Sequence, residues 1–366
     1  IREGTYSLKE KGGRKKGASI VIIDEASMIP LDLLATLFRA IDFNEVRRLV
    51  FVGDPNQLPP IGCGRPFVDI IKWLESDEML EKHIARLRQR VRHEERESQA
   101  LELADAFLSE KISPGDDEIL SKVACGEVSR DLEVHFWNNE NELYTILEQT
   151  LKKNLGFKDE KNLQEEFDKS IKKPDKWQIL SPTRMQIFGT NEINRIIQRK
   201  YRRKIIESAK KYGPKPFGEQ QIVKTDKVIQ IVNSWRKQKD GKEGYIANGE
   251  VGLVVNTFKK QFWPWRGKLL KTPDRIEVKF STQPHTSYFY ERNEINANLE
   301  LAYAITIHKS QGSEFDIVFL IIPQNARTMS RELLYTGLTR SKKKVVLLIE
   351  KDIAPLVTFR KPQYSE

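Results

Sequence analysis

The sequence predicts an α/β protein in which buried parallel strands form the main sheets and a small antiparallel β unit is set between two of their segments. Three observations carry this. Ile20-Val21-Ile22-Ile23 is a run of four β-branched apolar residues, the composition of a strand buried on both faces of a parallel sheet. After a helix-like stretch from Leu31 to Ile41, Leu49-Val50-Phe51-Val52 repeats the pattern. From about 215 to 296 the grammar changes to short alternating strands separated by Gly and Asn turns, with Asn248-Gly249 as a hairpin signal.

Composition bounds the rest. A chain of 366 residues favours two or three domains, and at 39% hydrophobic and 9% aromatic it can bury sizeable cores. No uninterrupted apolar 18-mer occurs, so no membrane-spanning helix is expected. No secretory signal is visible, the beginning at Ile1 reads as a fragment or processed chain, and a cytoplasmic, nucleoid-associated location is expected. Cys63 and Cys125 have neither metal spacing nor a disulfide framework, and the five histidines make no ligand set. The net charge of +10 points to a polyanionic partner, nucleic acid first; a merely soluble basic protein is the bland alternative.

Residues 1–18 read as a polar loop. Gly12 and Gly17 have the glycine spacing of a phosphate-binding loop, but Ala18 stands where the lysine is needed and the stretch precedes a strand instead of following one. No other Gly-x-x-x-x-Gly-Lys-Ser/Thr occurs in the 366 residues. The first strand ends in Asp24-Glu25. Ligand crevices of open α/β sheets lie at the carboxyl ends of strands. A carboxylate there can hold Mg²⁺ through its water shell, and its neighbour can orient or deprotonate a water; a turn that caps a helix is the structural alternative. The second strand ends in Gly53-Asp54-Pro55-Asn56-Gln57-Leu58-Pro59-Pro60, a stiff loop at the sheet edge. Gln57 can donate to and accept from a γ-phosphate or its attacking water.

These two stretches resemble motifs II and III of the superfamily 1 (1B) DNA helicases. The continuation Leu58-Pro59-Pro60-Ile61-Gly62-Cys63-Gly64 is similar to the RecD-like branch, the exodeoxyribonuclease V alpha-subunit type. The resemblance implies tandem RecA-like (P-loop NTPase) domains, the first one partial, with an SH3-like β-barrel insertion in the second. It also implies ATP and Mg²⁺, with Asp24 as the metal-holding carboxylate, Glu25 as base, Gln57 as γ-phosphate sensor, and Gly53 and Asp54 beside the nucleotide. Losing the phosphate-binding loop removes about three charge-assisted hydrogen bonds of roughly 1.5–3 kcal/mol each. Micromolar ATP affinity then weakens beyond millimolar, so this chain alone is expected to hydrolyse ATP poorly or not at all.

The remaining elements follow in order. Residues 64–82 suit a helix, with Phe67, Ile70, Ile71 and Leu74 on one face. The family's motif IV spacing, counted from Leu87, places Arg92 toward phosphate; a basic helix end is the alternative. Residues 98–109 suit an amphipathic helix, Ser113-Pro114-Gly115-Asp116-Asp117 a turn, Leu132–Trp137 a strand, and 140–174 a charged helical region that is mostly solvated. Trp177 to Arg184 reads as a buried strand ending in a polar turn, with Gly189 to Asn194 opening a helix. The family's DNA track lies beside this turn, which implicates Pro182, Thr183 and Asn191; turn chemistry and an N-cap explain them equally. Gln198 to Lys211 is a basic helix tail. In the β unit, Trp263 and Trp265 sit among basic residues, as in a single-strand stacking platform, or else pack on the barrel or contact a protein.

Leu301 to Asp316 resembles motif V of RecD-like helicases. It assigns Thr306, His308, Lys309 and Ser310 to strand phosphates, and Gly312 and Glu314 to the nucleotide. Leu333 to Lys343 resembles motif VI, with Arg340 as the arginine finger. The expected domains are 1–92, the later part of the first RecA-like domain; 93–212, the start of the second; 213–296, the barrel; and 297–366, the rest of the second. The implied activity is an ATP-dependent helicase or translocase on single-stranded DNA and single–double-strand junctions, moving 5′ to 3′ in recombination and repair. Implied partners are the missing part of domain 1 and nuclease subunits. A nucleic-acid-binding regulatory module without ATPase activity and a Dda-like or Pif-like replication helicase are the alternatives, and RNA stays open as a substrate.

Overall fold

The computed structural model describes residues 18–87, 98–108, 114–127, 129–159, 162–265 and 268–361. Arg92 lies outside them, as do the side chains of Trp263 and Trp265. The first described elements are β1 (Ile20–Ile23), the helix Leu31–Ala40 and β2 (Arg48–Phe51). The two strands are parallel, registered from Ile20 opposite Arg48 to Ile23 opposite Phe51. Ile23, Ala26, Leu34 and Phe67 form a small core beside them. The helix expected over 64–82 divides into Pro66–Glu75 and Glu78–Glu81. Asp77 between them is extended and its carboxylate accepts the Met79 N–H at 2.8 Å, a side-chain cap that starts a new turn.

The helices Gln99–Asp105 and Pro114–Ala124 precede β3 (Leu132–Trp137). The turn expected at 113–117 is corrected: Pro114 to Asp117 begin a helix, since proline and acidic residues suit a first helical turn. The mostly solvated reading of 140–174 is also corrected. The helices Glu140–Leu155 and Leu163–Ile171 bury Leu143, Leu147, Leu151, Leu155, Phe167 and Ile171, because one apolar stripe at helical spacing suffices to anchor an otherwise charged helix. Next come β4 (Trp177–Ser181), whose five residues are all buried, and the helices Thr190–Tyr201 and Arg203–Lys211.

The antiparallel unit holds β5 (Lys227–Gln230), β6 (Ser234–Lys237), β7 (Glu243–Ile246), β8 (Val251–Phe258), β9 (Gln261–Trp265), β10 (Lys268–Thr272), β11 (Arg275–Phe280), β12 (Tyr288–Glu291) and β13 (Leu299–Leu301). One sheet has the order β12-β11-β8-β5-β13, and β6–β7 and β9–β10 are separate hairpins. Strand β13 belongs to this sheet, so the unit runs past residue 296. The hairpin expected at Asn248-Gly249 is corrected: the turn joins β7 to β8, which lie in different sheets. Gly249 has φ +95° and its N–H donates to Gln230 O at 2.9 Å, so the turn is held by the end of β5.

The chain then returns to the parallel sheet through β14 (Ala304–Thr306), β15 (Phe315–Ile322), the helix Arg331–Leu338 and β16 (Ser341–Glu350). Its order is β14-β4-β15-β16-β3, every pairing parallel. Two buried polar groups tie the antiparallel unit to this sheet. The Arg202 guanidinium, fully buried, pairs with Asp168 and with Asp226 at 3.2 Å, and donates to Tyr303 Oη at 3.1 Å and Thr225 O at 2.6 Å. Lys227 Nζ donates to Trp177 O at 2.6 Å, over the rings of Trp177 and Phe315.

Burial pulls the Lys227 ammonium down from 10.5 to about 7. The unfolded chain therefore binds more protons between those values, and stability rises with pH across that window, lost again as pH falls to 7. Urea unfolding at pH 7 and pH 9.5 is expected to show this gain in the native chain and a smaller one in Lys227→Met. An equal gain in both would contradict it.

Candidate nucleotide cleft and strand crease

Asp24 and Glu25 project, exposed, from the carboxyl end of β1. Glu25 is left-handed, φ +51°, and its N–H donates to Asp24 Oδ1 at 2.9 Å. The loops after β1 and β2 are stitched together: Ala26 N donates to Val52 O and Val52 N to Ile23 O, each at 2.8 Å. Gly53 permits this approach, since a Cβ there would stand 3.1 Å from Ser27 N and 3.2 Å from Ala26 N.

Beyond Gly53 the loop crosses to the other lobe. Asp54 Oδ1 accepts the Asn56 N–H at 3.0 Å, closing an Asx turn. Its Oδ2 accepts from Gln57 Nε2 at 3.3 Å and from Tyr335 Oη at 2.9 Å. Leu58 is fully buried within the core of the five-stranded parallel sheet's lobe. Its N–H donates to Thr336 Oγ1 and its carbonyl accepts from Gln311 Nε2, both at 3.0 Å. Gln57 Oε1 is buried with no partner among the described residues, an acceptor left for a donor to fill.

Arg340 follows the helix that carries Tyr335 and Thr336. It is 3% exposed, and its guanidinium donates to Thr336 O at 3.1 Å, Thr339 Oγ1 at 3.3 Å and Ser313 O at 3.4 Å. Gly312 takes φ +73° in the same turn, and Glu314 pairs with Lys342 at 3.3 Å. The structure thus gathers Gly312, Glu314 and Arg340 on one lobe and Asp24, Glu25 and Gly53 on the other, with Asp54, Gln57 and Leu58 as the bridge. Among the described residues no group of three or more His, Cys, Asp or Glu could hold a metal by itself. Mg²⁺ bound to a nucleotide asks less, one or two carboxylates plus phosphates and waters, and Asp24 fits that mode.

The residues assigned to the strand lie apart from this cleft. Arg184, Asn191, Thr306 and Lys309 line one narrow crease with Glu300, only about 10 Å³ in volume. Glu300 was missed in the sequence; its only signal was an acid immediately before Leu301, the apolar start of motif V. Its carboxylate pairs with Lys309 at 3.0 Å and with Arg184. Burial pushes the carboxyl up, but both cations outweigh it and hold the group below its ordinary range. Thr183 accepts Thr190 N–H through its carbonyl at 3.1 Å and gives its hydroxyl to Met185 O at 2.7 Å. Pro182 is buried, its carbonyl taking the Thr328 hydroxyl at 3.1 Å. His308 is half-buried beside the crease. Ser310 is corrected: it is fully buried and its hydroxyl donates to Ile307 O at 2.7 Å, so it shapes the turn and does not meet solvent. Among the described residues, no helix is long and apolar enough to cross a membrane.

Comparison with known proteins places matches on both lobes. Residues 301–348 match the UvrD-like helicase C-terminal domain family and residues 3–117 an AAA domain family. An uncharacterized protein of Methanocaldococcus jannaschii is 32% identical over 94% of this chain and 30% of its own length. The RecBCD enzyme subunit RecD of Buchnera aphidicola is 26% identical over 91% of this chain and 54% of its own, and that of Mycolicibacterium smegmatis 25% over 89% and 49%. The chain spans about half the length, or less, of these relatives. Among solved structures, Bacteroides Pif1 bound to single-stranded DNA matches with a TM-score of 0.40 and 17% identity, covering 90% of this chain and 70% of that one.

Proposed function

We propose that this chain, which belongs to the RecD-like superfamily 1 helicases, forms most of the motor of an ATP-driven DNA helicase. The observation that carries the reading is the bridge from the β2 loop to the Arg331–Leu338 helix: Asp54 to Tyr335 and Leu58 to Thr336 and Gln311. A nucleotide held at the carboxyl end of β1 would be felt on the far lobe through these contacts. Glu25 acts as base on the attacking water, Gln57 reports the γ-phosphate, and Arg340, freed from its carbonyl partners, stabilises the transferred charge. Mg²⁺, when bound with the nucleotide at Asp24, would neutralise phosphate charge. Sequence beyond these 366 residues, or a partner, supplies the phosphate-binding loop, so this chain alone has little ATPase activity. Travel from 5′ to 3′, a role in recombination and repair, and assembly with nuclease subunits complete the reading; the relatives named as RecBCD enzyme subunit RecD support assembly with other subunits.

The crease of Arg184, Thr306 and Lys309 takes the phosphates of the tracked strand. Fluorescence anisotropy with a labelled oligothymidylate tests this. Affinity is expected to fall steeply with salt, at about 0.7 in log–log slope per phosphate neutralised. Glu300→Gln, which releases Lys309 and Arg184 from their carboxylate, is expected to tighten binding at low salt by about threefold or more through added attraction for phosphate. A salt-independent affinity, or unchanged binding in Glu300→Gln, would contradict the assignment.

A further inference from the structure

The turn after β4, Thr183 to Gly189, is braced more heavily than a connection requires. Gly189 N–H donates to Gln186 O at 3.0 Å, Asn191 N–H to Arg184 O at 3.1 Å, the Ser181 hydroxyl to Phe188 O at 2.7 Å, and the Tyr144 hydroxyl to Ile187 O at 2.8 Å. Gln186 is left-handed at φ +78°, a strained conformation for a side chain of its size. A Cβ at Gly189 would stand 2.1 Å from Met185 O, so only glycine closes the turn. What this rigid turn presents is Met185, 68% exposed, with Ile187 of the same turn at 38%; the Asn191 amide donates to the Met185 sulfur at 3.5 Å and helps to fix it. A lone exposed methionine is ordinary; one fixed on a strained, fully braced tip between two polar creases is not. On one side lies the crease of Arg184, Asn191, Thr306 and Lys309. On the other, Thr183 and Gln186 of the same turn join Gln324, Asn325, Arg327 and Thr328 around a cavity of about 660 Å³, the Thr328 hydroxyl binding Pro182 O.

We propose that Met185 is a wedge on which a base of single-stranded DNA stacks as the strand passes from the Lys309 crease into the Arg327 cavity, where Arg327 takes the next phosphate. This rests on the strand-binding reading above and extends it to residues that nothing else assigns. The chemistry suits the parts. A thioether is polarizable and adapts to any base face, and apolar wedges of this kind, methionine included, part base steps elsewhere. Stacking is indifferent to sequence, as movement along a strand requires.

Equilibrium binding of oligothymidylate to the 366-residue chain tests it, with thermal melts to confirm folding. Met185→Ala should weaken binding about five- to tenfold with an unchanged salt slope, since stacking carries no charge. Met185→Leu should recover most of that loss. Arg327→Ala should lower the log–log salt slope by about 0.7, the share of one phosphate on a single strand. If Lys309→Ala weakens binding but Met185→Ala and Arg327→Ala stay within twofold of the native chain, the wedge is wrong and the crease stands. If Lys309→Ala is also silent, both fall.

Discussion

Arg340→Ala, placed in the full-length protein, is expected to lower DNA-stimulated ATP turnover about 10³-fold, at the lower end of what an arginine finger contributes. The effect should fall on kcat, with KM for ATP and the affinity for single-stranded DNA nearly unchanged. The reason is where Arg340 sits. It is buried against Ser313 O and Thr336 O, just past the end of the helix that carries Tyr335, which holds Asp54 of the opposite lobe. In the proposed mechanism its fork meets the nucleotide only on lobe closure, so its loss would remove a contact made in the transition state and not in the ground state. Arg340→Lys keeps the charge but not the planar fork and should recover little. Steady-state ATPase at saturating oligothymidylate reads both variants; turnover within tenfold of the native protein in Arg340→Ala would contradict the role.

The second large effect is on stability. Asp226→Ala is expected to cost about 3–5 kcal/mol, the range for removing one partner of a buried ion pair. Asp226 is fully buried, and its carboxylate meets Arg202 at 3.2 Å and accepts the Tyr303 hydroxyl at 2.7 Å and the Val223 N–H at 2.8 Å. Without it, Arg202 keeps, among the described residues, only Asp168 as a charge partner at the point where the antiparallel unit joins the parallel sheet. Replacing Arg202 and Asp226 together by apolar residues of similar size should cost less than the single change, because no unpaired charge is left. Urea unfolding at pH 7 measures both. A loss under 1 kcal/mol in Asp226→Ala would show that the pair is not holding the junction.

The contrast between these two residues shows what the chain discloses locally. Arg340 was legible because its neighbours in sequence, Leu333 to Lys343, carry a recognisable order of residues. Arg202 was not: within Arg199-Lys200-Tyr201-Arg202-Arg203-Lys204 it looks like one cation of a solvated tail. Its partners lie 34, 23, 24 and 101 positions away, at Asp168, Thr225, Asp226 and Tyr303, and no local pattern reports them. Strands behaved alike. The apolar runs at Trp177–Ser181 and Phe315–Ile322 are strands whose burial on two faces leaves a continuous apolar signature; Ile20–Ile23 is a strand too, but the expectation that both its faces are buried is corrected, since Ile20 and Ile22 are exposed beside a single partner strand. Asn248-Gly249 misled because that pair specifies a tight turn, and only sheet pairing decides whether the flanking strands meet each other.

The site divides in the same way. Asp24, Glu25, Gly53 and Asp54 could be placed at strand ends from the sequence alone, since strand and loop are contiguous there. That Leu58 would leave its own lobe and enter the core of the other could not, for its hydrogen-bond partners Thr336 and Gln311 lie 278 and 253 residues on. Glu300 and Met185 escaped for a related reason: an acid beside a basic groove and a methionine in a turn acquire meaning only when the creases around them exist.

In the proposed motor a nucleotide is hydrolysed where β1 ends, under the control of the far lobe. Single-turnover ATP hydrolysis by the full-length protein carrying Glu25→Gln, at saturating single-stranded DNA, tests this most directly. The expected result is a loss of about 10²–10⁴-fold, the contribution of a general base, with ATP and DNA affinities retained. Hydrolysis at the native rate in Glu25→Gln would contradict it.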